Sequence, residues 1–432
     1  MYVFYFNNYK FRYYMREKLM TCKIFIVLIL LLNHFETFSQ KFSNKKIAKI
    51  ISKEKSLKGS TVAFSLAQLS NRKRIVDYNS DKLITPGSNI KLLTLYLALK
   101  NFDSFPILNY KRKNDKLYFW STGYPLLKHP KKNDTIILEF LKNQKDSLIY
   151  IAKKNRSKLL GPGWAWDDVN YYFSPERSTF PIFGNLINIK KVKNKKDKLE
   201  FTPKYFEDKL SNIHLNLVND FKFSENRDSI LIPFRTSDSL FIKLLEIELD
   251  RKIGIEYDNQ ELSKNFKTIY SNNKALFELL IQDSDNLVAE SIVMMSSGKG
   301  YIDFNIEKHI KNFQKKEFSK WDGKIFWVDG SGMSRYNLLN TEFILGVLNK
   351  IYEILGPRGI VDLFPNYFSN YDKIGSVYAK TGTLKNNRCL SGFIYKGDKR
   401  YIFSLMVGNH NSNLSELNSS FKDILLKISK KL

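Results

Sequence analysis

Cysteine is nearly absent from this 432-residue chain, which has two. Cys22 precedes the first apolar run, so Cys389 stands alone in the remainder. No internal disulfide is then possible, and the thiols carry no information about the redox compartment. Histidine is also scarce, with five in all. His129, His214, His309 and His410 are isolated from one another and lack the spacing of metal-ligand pairs, so neither a metal nor another cofactor is expected. The apolar run Ile24 to Leu32 has only nine residues, where a bilayer span takes ~20. There is no arginine-rich arm and no aromatic RNA-binding signature, so nucleic acid is not an expected partner. No fixed-period repeat and no low-complexity linker divides the chain.

What is present describes an exported, folded protein. Lys10, Arg12, Arg16, Lys18 and Lys23 precede the short apolar run, and Glu36-Thr37-Phe38-Ser39-Gln40 follows it. That is the layout of a cleavable export signal, so residues 1–40 are expected to be removed. Cys22 lies on the wrong side of the run for lipid attachment after cleavage. The remainder keeps +24 of the formal +27 charge, because 1–40 hold five Lys/Arg and two Asp/Glu. A surplus of this size favours anionic partners, which for an exported chain means cell-wall polymers or a peripheral membrane surface. Lys- and Asn-rich residue usage accounts for the same surplus without any partner. Hydrophobic residues make up 43% and aromatics 14%, enough for a large core in two or three domains.

Along the chain, residues 59–67 and Arg74 to Tyr78 flank a turn at Asn71-Arg72-Lys73 and predict a hairpin. Pro86-Gly87 breaks the chain, and an apolar pattern from Ser88 predicts a largely buried helix. Between about 108 and 270, β-like runs at Lys116 to Trp120, Ser147 to Ala152 and Ser229 to Pro233 alternate with polar turns, the texture of mostly β inserted modules. Helices are predicted at Lys274 to Ile281, Asn286 to Met295 and Thr341 to Leu355. Strands follow at Ser376 to Lys380, Cys389 to Tyr395 and Tyr401 to Val407, then a helix over 414–430. This predicts an α+β domain made of 41–107 and 271–432, closed by both ends of the chain and interrupted by 108–270.

Three short elements carry chemistry. In Ser88-Asn89-Ile90-Lys91, positions i and i+3 share a helix face. A lysine one turn into an apolar helix loses part of its affinity for the proton and can act as the base a serine nucleophile needs. Ser88 at a helix start also offers its own N–H to an oxyanion. Alone, the motif is uninformative: Ser-x-x-Lys also begins at 43, 52, 70, 271, 296 and 419. What sets Ser88 apart is the preceding Pro-Gly break and the core-like residues after it. In Ser284-Asp285-Asn286, the Ser284 hydroxyl suits a proton relay and the Asn286 amide a substrate peptide group; a helix cap explains the same residues. In Lys380-Thr381-Gly382-Thr383, Gly382 permits close approach of a substrate. Lys380 and the Thr381 hydroxyl suit a terminal carboxylate, and the Thr383 N–H a second oxyanion contact. An exposed strand end is the plainer alternative.

Taken together and in this order, the three elements resemble the penicillin-binding and serine β-lactamase superfamily. TPGSNIKLLT (85–94), SDNLVAE (284–290), DGSGMSR (329–335), AKTGTL (379–384) and LSGF (390–393) resemble the D-alanyl-D-alanine carboxypeptidase/endopeptidase family, also called the penicillin-binding protein 4 or S13 peptidase family. STGYPLL (121–127) is similar to its Gly-Asp-Pro turn, with Tyr124 where the family has Asp. GWAWDDVNYYFSP (163–175) is similar to its Trp-rich motif, and the similarity runs from about 45 to 425. The resemblance implies an interrupted transpeptidase-like fold and a periplasmic enzyme with a Ser88 acyl-enzyme. Lys91 and Ser284 would share its catalysis, while Asn286, Lys380, Thr381, Gly382 and Thr383 bind substrate. It implies peptidoglycan peptides and β-lactams as partners, and Asp168, or its neighbour Asp167, as a contact for the peptide's diamino acid. A serine β-lactamase and a non-catalytic wall-binding protein on the same scaffold remain as alternatives.

Overall fold

The computed structural model describes residues 42–192, 198–210, 219, 221–223, 227–257, 262, 264–298, 303–368 and 375–432. The export signal read in 1–40, like His214, lies outside them. The predicted hairpin is β1 (Thr61–Gln68) and β2 (Arg74–Tyr78). The strands predicted near the carboxyl end are β11 (Ser376–Leu384), β12 (Asn387–Lys396) and β13 (Lys399–Gly408). They join in one antiparallel sheet of order β11-β12-β13-β1-β2. The two ends of the chain therefore meet at the β1–β13 pair.

Alternation along β1 decides which helices cover each face. Val62, Phe64 and Leu66 point into one core with Phe403 and Leu405. That core is closed by α1 (Asn44–Ile51) and the last helix, α9 (Leu414–Ser429). Ala63 and Ala67 point to the opposite face. There α2 (Lys91–Asn101), α6 (Asn286–Ser297) and α8 (Thr341–Leu363) pack, admitted by the small residues of β1. Helix α2 is buried on all sides from Lys91 to Ala98, so its apolar residues show no single stripe. The predicted end of α8 at Leu355 coincides with a break in the helix: Gly356 takes φ +65° ahead of Pro357, and helical turns resume to Leu363.

The stretch from 105 to 271 builds the other two sheets. β3 (Phe105–Lys113), β4 (Lys116–Ser121), β5 (Ser147–Ala152), β9 (Ile253–Tyr257) and β10 (Lys267–Ser271) form a mixed sheet of order β10-β3-β4-β5-β9. β6 (Leu186–Lys191), β7 (Leu199–Thr202) and β8 (Ser229–Pro233) form a smaller antiparallel one. The sequence reading found no helix here, yet α3 (Ile136–Lys142) and α4 (Asp238–Leu249) both lie within it. The parallel pairings β4–β5 and β5–β9 explain them, since a parallel crossover must be carried over the sheet by some such element. α5 (Ala275–Ile281) and α7 (Ile306–Glu317) complete the helical layer around α6.

Candidate active site

Ser88 lies in a short 3₁₀ turn, Gly87–Ile90, that feeds directly into α2. Gly87 has φ +52°, and a β-carbon built on it would lie 2.8 Å from the Thr383 nitrogen. Only glycine fits that backbone in that space, so the Pro86-Gly87 break brings the serine against the edge strand β11. Lys91, three residues on, is fully buried. Its Nζ donates to Ser88 Oγ (3.1 Å), Asn286 Oδ1 (2.6 Å) and the Ser331 carbonyl (2.7 Å). Burial pushes this amine down to about 8, against the opposing pull of Asp329, Asp285 and Glu290. When it is neutral, Asn286 and Ser331 accept its two N–H groups. The remaining tetrahedral position, a lone pair, then faces the Ser88 hydroxyl.

The second motif enters at the start of α6. Asp285 caps the helix, accepting the Val288 N–H at 3.0 Å, with His129 Nε2 3.3 Å from its other oxygen. Burial would raise the Asp285 carboxyl, but the His129 contact, the Val288 N–H and the charge of Lys91 outweigh it and hold it below the ordinary range. Asn286 is held at both ends of its amide, since Nδ2 donates to the Phe173 carbonyl at 2.7 Å while Oδ1 faces Lys91. From sequence this amide was expected to address a substrate peptide group; in the structure it also orients the lysine. Ser284 has φ +57°, in the left-handed region. That conformation costs roughly 1 kcal/mol or more for a non-glycine residue. It accompanies a serine whose Oγ accepts from Lys380 Nζ at 2.9 Å.

The third motif is the edge strand itself. Lys380, 2% exposed, also reaches the Thr381 carbonyl at 3.2 Å. Burial, with the charges of Lys91 and Arg388, holds its amine well below the usual lysine range. Asn89 stitches strand to turn, donating to the Lys380 carbonyl (2.9 Å) and accepting from Ser391 Oγ (2.6 Å). Gly382 was expected to admit substrate, but the close approach it permits is internal: a β-carbon there would lie 2.1 Å from the Pro86 carbonyl oxygen. The oxygen belongs to backbone and the β-carbon is fixed rigidly to its own, so Gly382→Ala must part the turn from the strand. A displacement of ~1 Å at such a centre costs about 10²-fold. The expected result is a loss of that order in kcat/KM on a D-Ala-D-Ala peptide, with the melting transition still cooperative.

A further set of residues supports the site, some inside motifs quoted from sequence without roles and some, such as Arg177 and Glu307, outside them. Asp329 is fully buried and accepts from Trp164 Nε1 (2.9 Å), Gly332 N (2.9 Å), Ser334 N (2.7 Å) and Asn337 Nδ2 (2.7 Å). It thereby fixes the 329–337 loop that offers the Ser331 carbonyl to Lys91. Gly332 lets that loop meet the serine turn, since its β-carbon would lie 2.0 Å from the Gly87 oxygen. Glu290, on α6, accepts the Ser331 N–H at 2.7 Å and pairs with Arg177 Nη2 at 2.8 Å. Arg177 also donates to Glu307 at 2.8 Å and lies over the Trp164 ring. A lone arginine and an acid in an apolar helix gave no sequence signal; an acid amid small residues, as in DGSGMSR, is the one cue that was readable.

Asp168 stands apart from the contacts around Ser88. It lies in a 3₁₀ turn, Trp166–Asp168, on the Trp-rich segment, and is half-buried. Burial and then the charge of Asp167 raise its carboxyl, while Arg335 acts the other way. Asp167 is exposed. Tyr124, the departure in the Gly-Asp-Pro-like turn, is fully buried and donates to Asp134 Oδ2 at 2.5 Å, so it serves packing of the turn.

The sequence profile of the D-Ala-D-Ala carboxypeptidase 3 (S13) family matches residues 43–214 and 262–425. The chain belongs to this family. It is a serine-type D-Ala-D-Ala peptidase acting on peptidoglycan, and the α+β fold is that of penicillin-binding proteins. Among solved structures it is similar to penicillin binding protein 4 (dacB) from Haemophilus influenzae, with 18% identity, a TM-score of 0.68, and coverage of 88% of this chain and 98% of that one. The same protein complexed with a novel β-lactam matches with 16% identity, a TM-score of 0.63, and coverage of 89% and 98%. Bd3459, a predatory peptidoglycan endopeptidase from Bdellovibrio bacteriovorus, matches with 12% identity, a TM-score of 0.51, and coverage of 85% and 92%. No curated relative matches at the sequence level. Among the described residues, no group of three or more His, Cys, Asp or Glu could hold a metal ion. None of their helices is long and apolar enough to cross a membrane.

Proposed function

We propose that this S13 peptidase works through a Ser88 acyl-enzyme in which Lys91 is the general base. Lys91 takes the Ser88 proton, and Ser88 Oγ attacks the carbonyl of a D-alanyl peptide bond. The oxyanion rests on the N–H groups of Ser88 and Thr383, each such donor being worth roughly 10²–10³ in rate. Ser284, with Lys380 beside it, passes a proton to the leaving amine, and water then hydrolyses the ester. Lys380, Thr381 and Thr383 meet the substrate carboxylate, Gly382 keeps strand and turn together, and Asn286 orients Lys91 while facing the peptide. Asp168 contributes from the rim, toward the amino group of the diamino acid. The observation that carries this reading is the 3.1 Å contact between a hydroxyl and a buried amine held down to about 8.

In this reading 41–107 and 271–432 make the catalytic domain and 108–270 an inserted accessory part, with β3 running from one into the other. The protein works in the periplasm after loss of 1–40, on stem peptides of peptidoglycan, and it takes β-lactams as substrate mimics. The neighbour crystallised with a β-lactam supports that last point. The test is incubation of the purified 41–432 chain with a fluorescent penicillin. The expected result is one covalent equivalent that persists for many minutes. Rapid turnover of the penicillin would make the protein a β-lactamase, and absence of labelling would leave a scaffold without this chemistry.

A further inference from the structure

A cavity of about 510 Å³ lies in the 105–271 stretch and shares no residue with the contacts around Ser88. It sits at the carboxyl ends of two parallel strands. β5 ends on it at Ala152 and β9 at Tyr257, and α4 begins beside it at Asp238. The crevice outside the carboxyl ends of parallel strands is a favoured place for ligands, and small-molecule sites run to ~300–1,000 Å³. One side of this cavity is apolar. Phe180 and Phe241 stack with centroids 4.5 Å apart, Tyr150 meets Phe241 at 5.1 Å, and all three are buried. Tyr257, also on the lining, is 70% exposed and presents its ring at the mouth.

The other side is polar, with its donors and acceptors already sorted. Ser178 Oγ accepts from Asn185 Nδ2 at 2.9 Å, so its own proton is left to donate. Thr236 Oγ1 gives its proton to Glu176 Oε2 at 2.8 Å, so it is left to accept. Asp238 takes the Tyr150 hydroxyl on Oδ1 at 3.3 Å. Burial lifts its carboxyl above the ordinary range, and that one hydrogen bond acts the other way. Donors and acceptors set beside an apolar wall match hydroxyls arranged round a ring whose faces are C–H. Lys153 and Lys154 line the same cavity, which disfavours an ammonium ligand and favours an anionic substituent. We infer that this cavity binds a saccharide unit carrying a carboxylate, with the sugar face on Tyr257, its hydroxyls on Ser178, Thr236 and Asp238, and its carboxylate at Lys153 and Lys154. A unit of the wall glycan held there anchors the polymer while the peptide it bears is cut elsewhere. This rests on the peptidoglycan activity and not on the roles given to Ser88 and Lys91.

The experiment titrates the purified protein with N-acetylmuramic acid and with N-acetylglucosamine, which lacks the carboxylate, on wild type, Asp238→Asn, Lys154→Glu and Tyr257→Ala. Wild type is expected to bind N-acetylmuramic acid at one saturable site, about tenfold more tightly than N-acetylglucosamine. Asp238→Asn and Tyr257→Ala should each weaken both sugars by roughly five- to tenfold. Lys154→Glu should remove the preference between them, a loss of about tenfold on N-acetylmuramic acid alone. Penicillin labelling stays at the wild-type level in all three variants, which separates the cavity from the cleft. Should Asp238→Asn not fold, the other two, both at exposed residues, decide. Absence of saturation, equal affinity for the two sugars in wild type, binding that none of the variants weakens, or displacement of the sugar by a D-Ala-D-Ala peptide each overturns this inference. Wild type that binds the sugars as expected but takes no penicillin label removes the acyl-enzyme reading and leaves the cavity its ligand.

Discussion

Ser88→Ala and Lys91→Ala are each expected to abolish penicillin labelling and to lower D-Ala-D-Ala hydrolysis by about 10⁴–10⁶-fold, and the double mutant to lose scarcely more. The reason is that the two groups act as one unit. Without its hydroxyl the amine has nothing to deprotonate, and without the amine the hydroxyl is too weak a nucleophile. Lys91→Ala also empties a site where Asn286 Oδ1 and the Ser331 carbonyl would face each other without a donor. Wild-type kcat/KM should depend on pH in one direction. Below about 8 Lys91 is an ammonium and cannot accept a proton, so the rate rises with pH and levels off above that value. Losses that simply multiply in the double mutant, or a rate that falls through this range, would remove Lys91 from the role of base.

Arg177→Ala should be among the most destabilising single changes away from the serine. Arg177 and Glu290 are each about 1% exposed, and the guanidinium is shared with Glu307. Removing one partner of such a buried pair leaves an uncompensated charge at about 3–5 kcal/mol. The damage reaches the site as well, since Glu290 positions the Ser331 N–H and hence the carbonyl that holds Lys91. Arg177→Lys keeps the charge without the multiple contacts and should lose less. Chemical denaturation measures the first effect, and acylation rate the second. A variant as stable as wild type, with normal acylation, would show that the network is not what orders the 329–337 loop.

Legibility in the sequence followed the range of the interactions. The β1–β2 hairpin and the strands after 376 were readable because alternation and turn residues act within a few positions. The break before Ser88 was readable because proline and glycine impose it locally. The convergence of residues 88, 284 and 380 rested on three motifs being taken together, since each alone has a bland explanation. Helix α4 was missed because its apolar residues come in a dense run: Leu240, Phe241, Ile242, Leu244 and Leu245 are all buried. A short apolar run of that kind is hard to tell from a buried strand by periodicity. The roles of Glu290 and Arg177 were invisible for another reason. Each depends on a partner more than a hundred residues away, and nothing in the local chemistry names that partner.

The sheet order carries one more consequence. β13, which ends at Gly408, is the strand that joins β1 to β12, and β11 supplies the wall against which the serine turn is pressed. Neither exists until nearly the whole polypeptide has emerged. A chain made amino end first therefore carries its nucleophile nearly three hundred residues ahead of β11, the strand that walls the site. It stays chemically silent while it is being made and becomes competent only when its tail has arrived.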